Sequence, residues 1–233
     1  MTVAVIGLGA MGLGIAQVYA QAGQTVRATD ASAEARSTAA ARLAATLAPR
    51  VAKGAMTQAD CDTALSRLQI VDRIEDLAPA DLVIEAVVER LAVKQAVFAV
   101  LEPLLPPHAV LATNTSSLSV AAIARGLAHP ERLLGLHFFN PAPVMRLVEL
   151  IPHAGTAPDA LATARALTEG AGKTVIQCAD RPGFIVNRCA RPFYGEALAM
   201  LEEGRSASEI DAAMVAAGYR LGPFALIDLI GAD

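Results

Sequence analysis

The sequence predicts an α/β fold: a doubly wound, mostly parallel sheet followed by a smaller, all-helical segment. Three observations carry this. Short apolar runs suited to buried parallel strands alternate with Ala-rich helical stretches as far as Cys178. The strand signals stop at Asp180-Arg181-Pro182-Gly183, and only helical patterns follow. Hydrophobic residues make up 54% and aromatic residues 4%, with no Trp, so Ala, Val, Leu and Ile must fill the core, as helices packed on a buried sheet allow.

Val3–Ile6 reads as a strand, Met11–Ala22 as a helix and Val26–Asp30 as a second strand, one βαβ unit around a Gly-rich turn. Ala33–Lys53 is a long helical stretch with a possible bend at Pro49, and Thr57 can cap a helix running to Arg67. Strands recur at Leu68–Val71, Leu82–Glu85 and Val110–Thr113, with Leu91–Leu104 as the crossover helix between the last two. Leu133–Phe138 and Arg146–Ile151 read as strands joined by Asn140-Pro141-Ala142-Pro143. Pro158–Ala171 is helical and Thr174–Cys178 closes the sheet. Beyond the break, Phe184–Glu203 and Ala207–Ala217 are helical, with Gly204 and Gly218 as stops. The expected division is therefore residues 1–181 and residues 182–233.

A chain of 233 residues is long enough to bury a substantial core. Its net charge of −4 and lack of a long Lys/Arg run argue against nucleic acid. Cys61, Cys178 and Cys189 are scattered and odd in number. With no Cys-x-x-Cys and no paired Cys/His spacing, we expect no disulfide framework, no metal and a reducing cytoplasm. The first 26 residues carry no charge before Arg27. They lack the basic start of a signal peptide, and glycines interrupt the apolar run, so neither export nor membrane insertion is expected.

Gly7-Leu8-Gly9-Ala10-Met11-Gly12 follows a strand and opens a helix, the setting in which G-x-G-x-x-G binds a dinucleotide in a Rossmann-type domain. Gly7 permits the turn, Gly9 lets backbone approach a pyrophosphate, and Gly12 allows close helix–strand packing. The helix N-terminus offers free N–H groups to the phosphates. Asp30, at the end of the second strand, can accept from both ribose hydroxyls and would repel a 2′-phosphate, which favours NAD over NADP. Glu85, Glu89 and Lys94 stand at or beyond a strand end, where they either meet the cofactor or form a solvated acidic turn with a surface lysine. Thr113-Asn114-Thr115-Ser116-Ser117 follows another strand. It offers polar contacts to a ligand or, more simply, a cap for a helix at Val120–Ala124.

His137 ends an apolar strand, an unusual place for an imidazole, whereas His108, His129 and His153 lie beside prolines in loop-like segments. Glu149 falls on the next strand. The Asn-Pro turn can bring the two side by side, as a base with a carboxylate that fixes its tautomer and stabilises its imidazolium.

The ordered set Gly7–Gly12, Asn114-Thr115-Ser116-Ser117, His137-Phe138-Phe139-Asn140-Pro141, Glu149 and Pro182-Gly183-Phe184-Ile185-Val186-Asn187-Arg188 resembles the L-3-hydroxyacyl-CoA dehydrogenases along essentially the whole chain. The resemblance implies oxidation of a 3-hydroxyacyl-CoA to the 3-ketoacyl-CoA with NAD. His137 would be the base and Glu149 its partner, with Ser116 and Asn187 contacting the substrate oxygen. Gly7, Leu8, Gly9, Ala10, Met11, Gly12, Asp30, Glu89, Lys94, Asn114, Ser116 and Asn140 would form the cofactor site. Lys53, with Arg50 nearby, would meet the CoA moiety. Arg188–Tyr194 and Ile227–Gly231 look like the bacterial branch of phenylacetate degradation, whose substrate is 3-hydroxyadipyl-CoA. 3-Hydroxybutyryl-CoA in fatty-acid metabolism is the competitor.

A 3-hydroxyisobutyrate or 6-phosphogluconate type of dehydrogenase can also open Gly-Leu-Gly-x-Met-Gly. Those families centre on a lysine, however, and here no Lys lies between Lys94 and Lys173. A non-catalytic, crystallin-like NAD-binding protein is the rival of another class. Family members continue beyond the equivalent of Asp233 with further helices that build a homodimer, so the helical segment reads as incomplete. Its apolar stripe of Phe224, Leu226, Ile227, Leu229 and Ile230, ended by Gly231, must pack on something. The expectation for the 233-residue chain is association or aggregation, with a defined dimer from a longer form. Light scattering on both checks it, and a monodisperse monomer that binds no hydrophobic dye would contradict it.

Overall fold

The computed structural model describes residues 1–230, and the Gly231 expected to end the last helix lies outside the described residues. Residue contacts divide the chain into two units, Met1–Phe184 and Ile185–Asp233. The break falls after Phe184 because that side chain is buried with Leu133, Ile151 and Cys178 in the core of the first unit.

The first unit holds eight strands: β1 (Thr2–Ile6), β2 (Thr25–Thr29), β3 (Leu68–Ile70), β4 (Leu82–Glu85), β5 (Val110–Thr113), β6 (Leu133–Phe138), β7 (Leu147–Ile151) and β8 (Thr174–Gln177). They form one sheet in the order β3-β2-β1-β4-β5-β6-β7-β8. Every neighbouring pair is parallel except β6 and β7. The order from β3 to β6 is that of a doubly wound dinucleotide-binding sheet. Successive residues point to opposite faces. Val3, Val5, Leu82 and Ile84 pack into one buried cluster, and Ala4, Ile6, Val83 and Leu111 into the other. Both faces are thus covered, which is why these strands read as unbroken apolar runs.

Six helices join the strands: α1 (Ala10–Gln21), α2 (Ala33–Ala52), α3 (Gln58–Arg67), α4 (Leu91–Leu101), α5 (Val120–Ile123) and α6 (Pro158–Gly170). Ser32 and Thr57 cap α2 and α3, each accepting from the backbone N–H three residues on. Ser119 caps α5, so the Thr115–Ser117 run is not that cap. The second unit contains α7 (Val186–Glu202), α8 (Ala207–Ala216) and α9 (Pro223–Ile230). Within it Phe193 stacks on Tyr219 with ring centres 5.3 Å apart, and Asp211 accepts from the N–H groups of Phe224 and Ala225 at the start of α9. Helix α7 begins two residues after the expected Phe184. Gly183 and Phe184 both have positive φ, 76° and 46°, and turn the chain before a helix can start.

One buried polar contact ties helices that cover the sheet. Tyr19 of α1 and Thr168 of α6 meet at 2.9 Å. Because the Thr168 hydroxyl donates to the Ala164 carbonyl, Tyr19 is the donor to Thr168, and burial raises the phenol pKa far above its usual value. Tyr19→Phe removes a satisfied donor and should cost about 1 kcal/mol in denaturant unfolding. Thr168→Val strands the phenol without an acceptor and should cost more, about 2–3 kcal/mol.

Candidate active site

The carboxyl ends of β1, β2, β4, β5 and β6 carry the loops singled out in the sequence, along the edge where ligands of doubly wound sheets bind. At the end of β1, Gly7 takes φ 94°, and a Cβ there would collide with the Ala86 carbonyl. A Cβ on Gly12 would collide with the Gly7 carbonyl, so helix α1 packs against the turn only with glycine there. Around Gly9 a Cβ would meet nothing within 4 Å, which leaves its backbone open to a ligand. Leu8 is fully buried, while Gly9 and Ala10 are exposed.

Asp30 Oδ2 accepts from the Leu8 N–H at 2.6 Å and Oδ1 from the Ser32 N–H at 2.8 Å. The acid that was read as a ribose acceptor also closes the Gly-rich turn. Each carboxylate oxygen keeps a second acceptor position. Gly7, Gly9 and Asp30 line a cavity of about 610 Å³. An open glycine backbone, a helix N-terminus and an acid at the second strand end together fit the adenosine and pyrophosphate of NAD.

Lys94 is not on a helix surface: its side chain is 1% exposed and donates to Glu85 at 2.6 Å, with Glu89 at 3.2 Å. Glu85, fully buried, also accepts from the Val87 N–H and the Thr113 hydroxyl. Nor is the acidic turn simply solvated. Glu89 Oε1 accepts from the Thr115 hydroxyl at 2.5 Å, the Ser116 N–H at 2.9 Å and the Ser117 N–H at 3.1 Å. Partial burial works against its charge, but the Thr115 hydroxyl, the Lys94 cation and the Ser116 N–H together hold its carboxyl down at about 2. Asn114 Oδ1 accepts from the Phe138 N–H at 2.8 Å and braces the end of β6 beside His137.

His137 lies directly opposite Glu149 in the antiparallel β6–β7 register. Its Nδ1–H donates to Glu149 Oε2 at 2.7 Å, with the imidazole nearly buried and the carboxylate fully so. In the neutral imidazole this bond places the proton on Nδ1, so that Nε2 carries the lone pair. Phe139 and Phe184 flank the ring, with centres 4.5 and 5.8 Å away. Cys178 is close enough that burial and the charge of Glu149 push its thiol up to about 12.

The turn after β6 is pinned from a distance. Lys173 Nζ donates to the carbonyls of Ala142 and Met145 at 2.5 and 2.8 Å. Asn140 and Pro141 line a groove of about 760 Å³ with Arg42, Thr46 and Arg50 of α2. Lys53, the expected CoA contact, is exposed at the C-cap of α2, and Arg42 and Arg50 supply the positive charge of the groove. Asp180 fixes the chain ahead of the unit boundary by accepting from the N–H groups of Val120 and Ala121 and the Ser119 hydroxyl. Asn187 sits in the first turn of α7, in the second unit. A third cavity, of about 740 Å³, opens at the opposite edge around Leu105, Val110 and Arg132, and holds none of these loops.

Sequence reasoning missed Phe139, Phe184, Lys173 and Asp180. Phe139 and Phe184 carried a signal, since each lies in a motif that carries the family resemblance. Lys173 carried none, because its partners are 31 and 28 residues away.

Among the described residues no group of acidic, His or Cys side chains could hold a metal ion, and no helix is long and apolar enough to cross a membrane. The sheet order and the Gly-rich turn define a dinucleotide-binding domain. The family model for the 3-hydroxyacyl-CoA dehydrogenase NAD-binding domain matches residues 2–181, and that for the C-terminal domain matches residues 183–233. The chain belongs to the 3-hydroxyacyl-CoA dehydrogenase family. It is 51% identical to 3-hydroxyadipyl-CoA dehydrogenase of Escherichia coli over all of this chain and 49% of that protein. It is 42% identical to 3-hydroxybutyryl-CoA dehydrogenase of Bradyrhizobium diazoefficiens over 99% of this chain and 80% of that one. The chain thus spans about half the length of the first relative and four fifths of the second. A crystal structure of E. coli 3-hydroxybutyryl-CoA dehydrogenase superposes with a TM-score of 0.94 at 51% identity, covering 99% of this chain and 49% of that chain. (S)-3-hydroxybutyryl-CoA dehydrogenase of Ralstonia eutropha also gives 0.94, at 38% identity over 99% and 82%.

The Glu89 network sets a pH dependence. Its carboxyl is lower folded than unfolded, so the network stabilises the fold above about pH 4.5 and the contribution fades as pH falls toward 2. Allowing for the side chain's partial exposure, Glu89→Gln should lose about 1–2 kcal/mol at pH 7. In urea unfolding this gap should narrow steadily below pH 4.5; a gap independent of pH would contradict the assignment.

Proposed function

We propose that this protein oxidises an L-3-hydroxyacyl-CoA to the 3-ketoacyl-CoA with NAD. The buried 2.7 Å bond between His137 Nδ1 and Glu149 carries the reading. NAD, when bound, supplies the hydride acceptor. His137 Nε2, its lone pair free of the Glu149 bond, takes the hydroxyl proton as hydride leaves the substrate carbon. Glu149 then compensates the imidazolium charge, inside a site where burial strengthens the attraction. Phe139 and Phe184 hold the ring's plane and keep water from its faces. Ser116, already oriented by Glu89, is the candidate for the substrate oxygen, and the family resemblance gives Asn187 the same role. Lys94 acts on the cofactor through Glu89, since it is buried between two carboxylates. Arg42 and Arg50 offer charge to the CoA phosphates.

For the acyl group we favour 3-hydroxyadipyl-CoA, in phenylacetate catabolism, over 3-hydroxybutyryl-CoA, on the resemblance of the sequence segments Arg188–Tyr194 and Ile227–Gly231 to that branch; E. coli relatives 51% identical to this chain carry both names. The free cysteines Cys61, Cys178 and Cys189 support a reducing, cytoplasmic setting. Exposed Leu198, Leu201, Val215 and Leu229 on the second unit's helices support a homodimer built through that unit.

Acetoacetyl-CoA-dependent oxidation of NADH, with free acetoacetate as control, tests the reaction. His137→Ala and Glu149→Gln should each lower turnover about 100- to 10,000-fold while NADH affinity changes little. The double variant should lose far less than the product of the two losses, since the residues act as a unit. Near-normal turnover in His137→Ala would remove the base. Comparing kcat/KM for the dicarboxylic and four-carbon substrates decides the acyl group.

A further inference from the structure

The cavity beside Asp30 contains a cation with no evident use in binding NAD. Arg36 of α2 lines it, and so does Asp72. Arg36 Nη1 donates to the carbonyls of Asp30 and Ala31 at 2.6 and 3.3 Å, and its Nε donates to Asp72 Oδ1 at 3.1 Å. The Arg36 side chain is 19% exposed and that of Asp72 is 88% exposed. An arginine just beyond the second strand is what a 2′-phosphate would use, because its planar fork matches phosphate oxygens. Here it stands beside an acid that repels the same phosphate.

We infer that Asp72 is a second determinant of dinucleotide choice: its carboxylate offsets the charge of Arg36, so two acids, Asp30 and Asp72, disfavour NADP. The inference rests on reading this cavity as the adenosine site. Two backbone carbonyls already fix the guanidinium, so Arg36 does not need Asp72 for its orientation. What Asp72 contributes is charge. With both acids present, Asp30, Arg36 and Asp72 sum to a net negative site. Neutralising Asp72 leaves the arginine balanced only by Asp30, and a doubly charged phosphate responds to that difference. The effect is modest and sensitive to salt, because Asp72 faces water.

Fluorescence titration of NADH and NADPH decides it. Asp72→Asn, which removes charge and keeps an acceptor oxygen, should shift the ratio of the two Kd values toward NADPH about three- to fivefold at low ionic strength. The shift should shrink as salt is added. It should vanish in Arg36→Gln/Asp72→Asn, where no cation remains to be unmasked. An unchanged ratio in Asp72→Asn, with NADH still bound tightly, overturns this inference and leaves the cofactor reading intact. A shift that survives loss of Arg36 also overturns it, since the acid would then act alone. Failure of the unaltered protein to bind NADH overturns the cavity reading and this inference together.

Discussion

The site depends on one register, that of the antiparallel pair β6 and β7. Side chains alternate faces along a strand, so a slip of one residue would send His137 and Glu149 to opposite faces. Apolar patterning cannot set that register, because β6 is buried on both sides along its whole length. Two other features can. Gly135 opposes Ile151, and a Cβ at Gly135 would press on the side chains of Ile151 and Val120. The pair itself is the second. A buried imidazole and a buried carboxylate that missed each other would each lose a partner in a dry interior, at a cost of several kcal/mol. The contact proposed to do the chemistry therefore also selects the pairing that creates it.

Around that pair, the polar groups at the strand ends bond to one another, and few are left to solvent alone. Asp30 closes the Gly-rich turn, and Arg42 donates to the Leu8 carbonyl from the other side. Glu85 holds Lys94, Lys94 faces Glu89, and Glu89 gathers Thr115, Ser116 and Ser117. Each loop is thus oriented by a neighbour from another part of the chain. That is the preorganisation a hydride transfer needs, because the reacting carbon, the base and the acceptor must be placed together.

The strands were legible in the sequence because they are buried on both faces and flanked by breaks; several observed bounds match the reading residue for residue, as at Leu82–Glu85 and Leu133–Phe138. The Gly-rich turn was legible because its glycines are sterically required. The His137–Glu149 pair was legible because a polar residue at the end of an apolar run calls for a partner. Contacts closed by long-range packing were not. Lys94 looks like a surface residue until Glu85 is seen beside it. Asp180 looks like part of a loop, yet it grips α5 from about 60 residues away. The start of α7 was misplaced because helical pattern does not register a positive φ at Phe184. Lys53 and Arg50 were legible as basic residues near the end of α2, but that Arg42 lines the groove with Arg50 is visible only in the packing.

Asp30 shows how the two kinds of legibility combine. Its position after the second strand makes it a candidate ribose acceptor, and the structure adds that its carboxylate also accepts from the Leu8 N–H. Truncating it to Ala would remove a negative charge and release the Gly-rich turn in one step. A change in cofactor affinity would then mix electrostatics with loop geometry. Asp30→Asn keeps one acceptor oxygen and loses the charge, so it comes closer to isolating the repulsion of a 2′-phosphate. Asp72 makes no backbone contact of that kind among its described bonds; it meets Arg36 alone. Charge can therefore be removed there without disturbing the turn, which makes the outer acid the cleaner probe of the proposed preference for NAD over NADP.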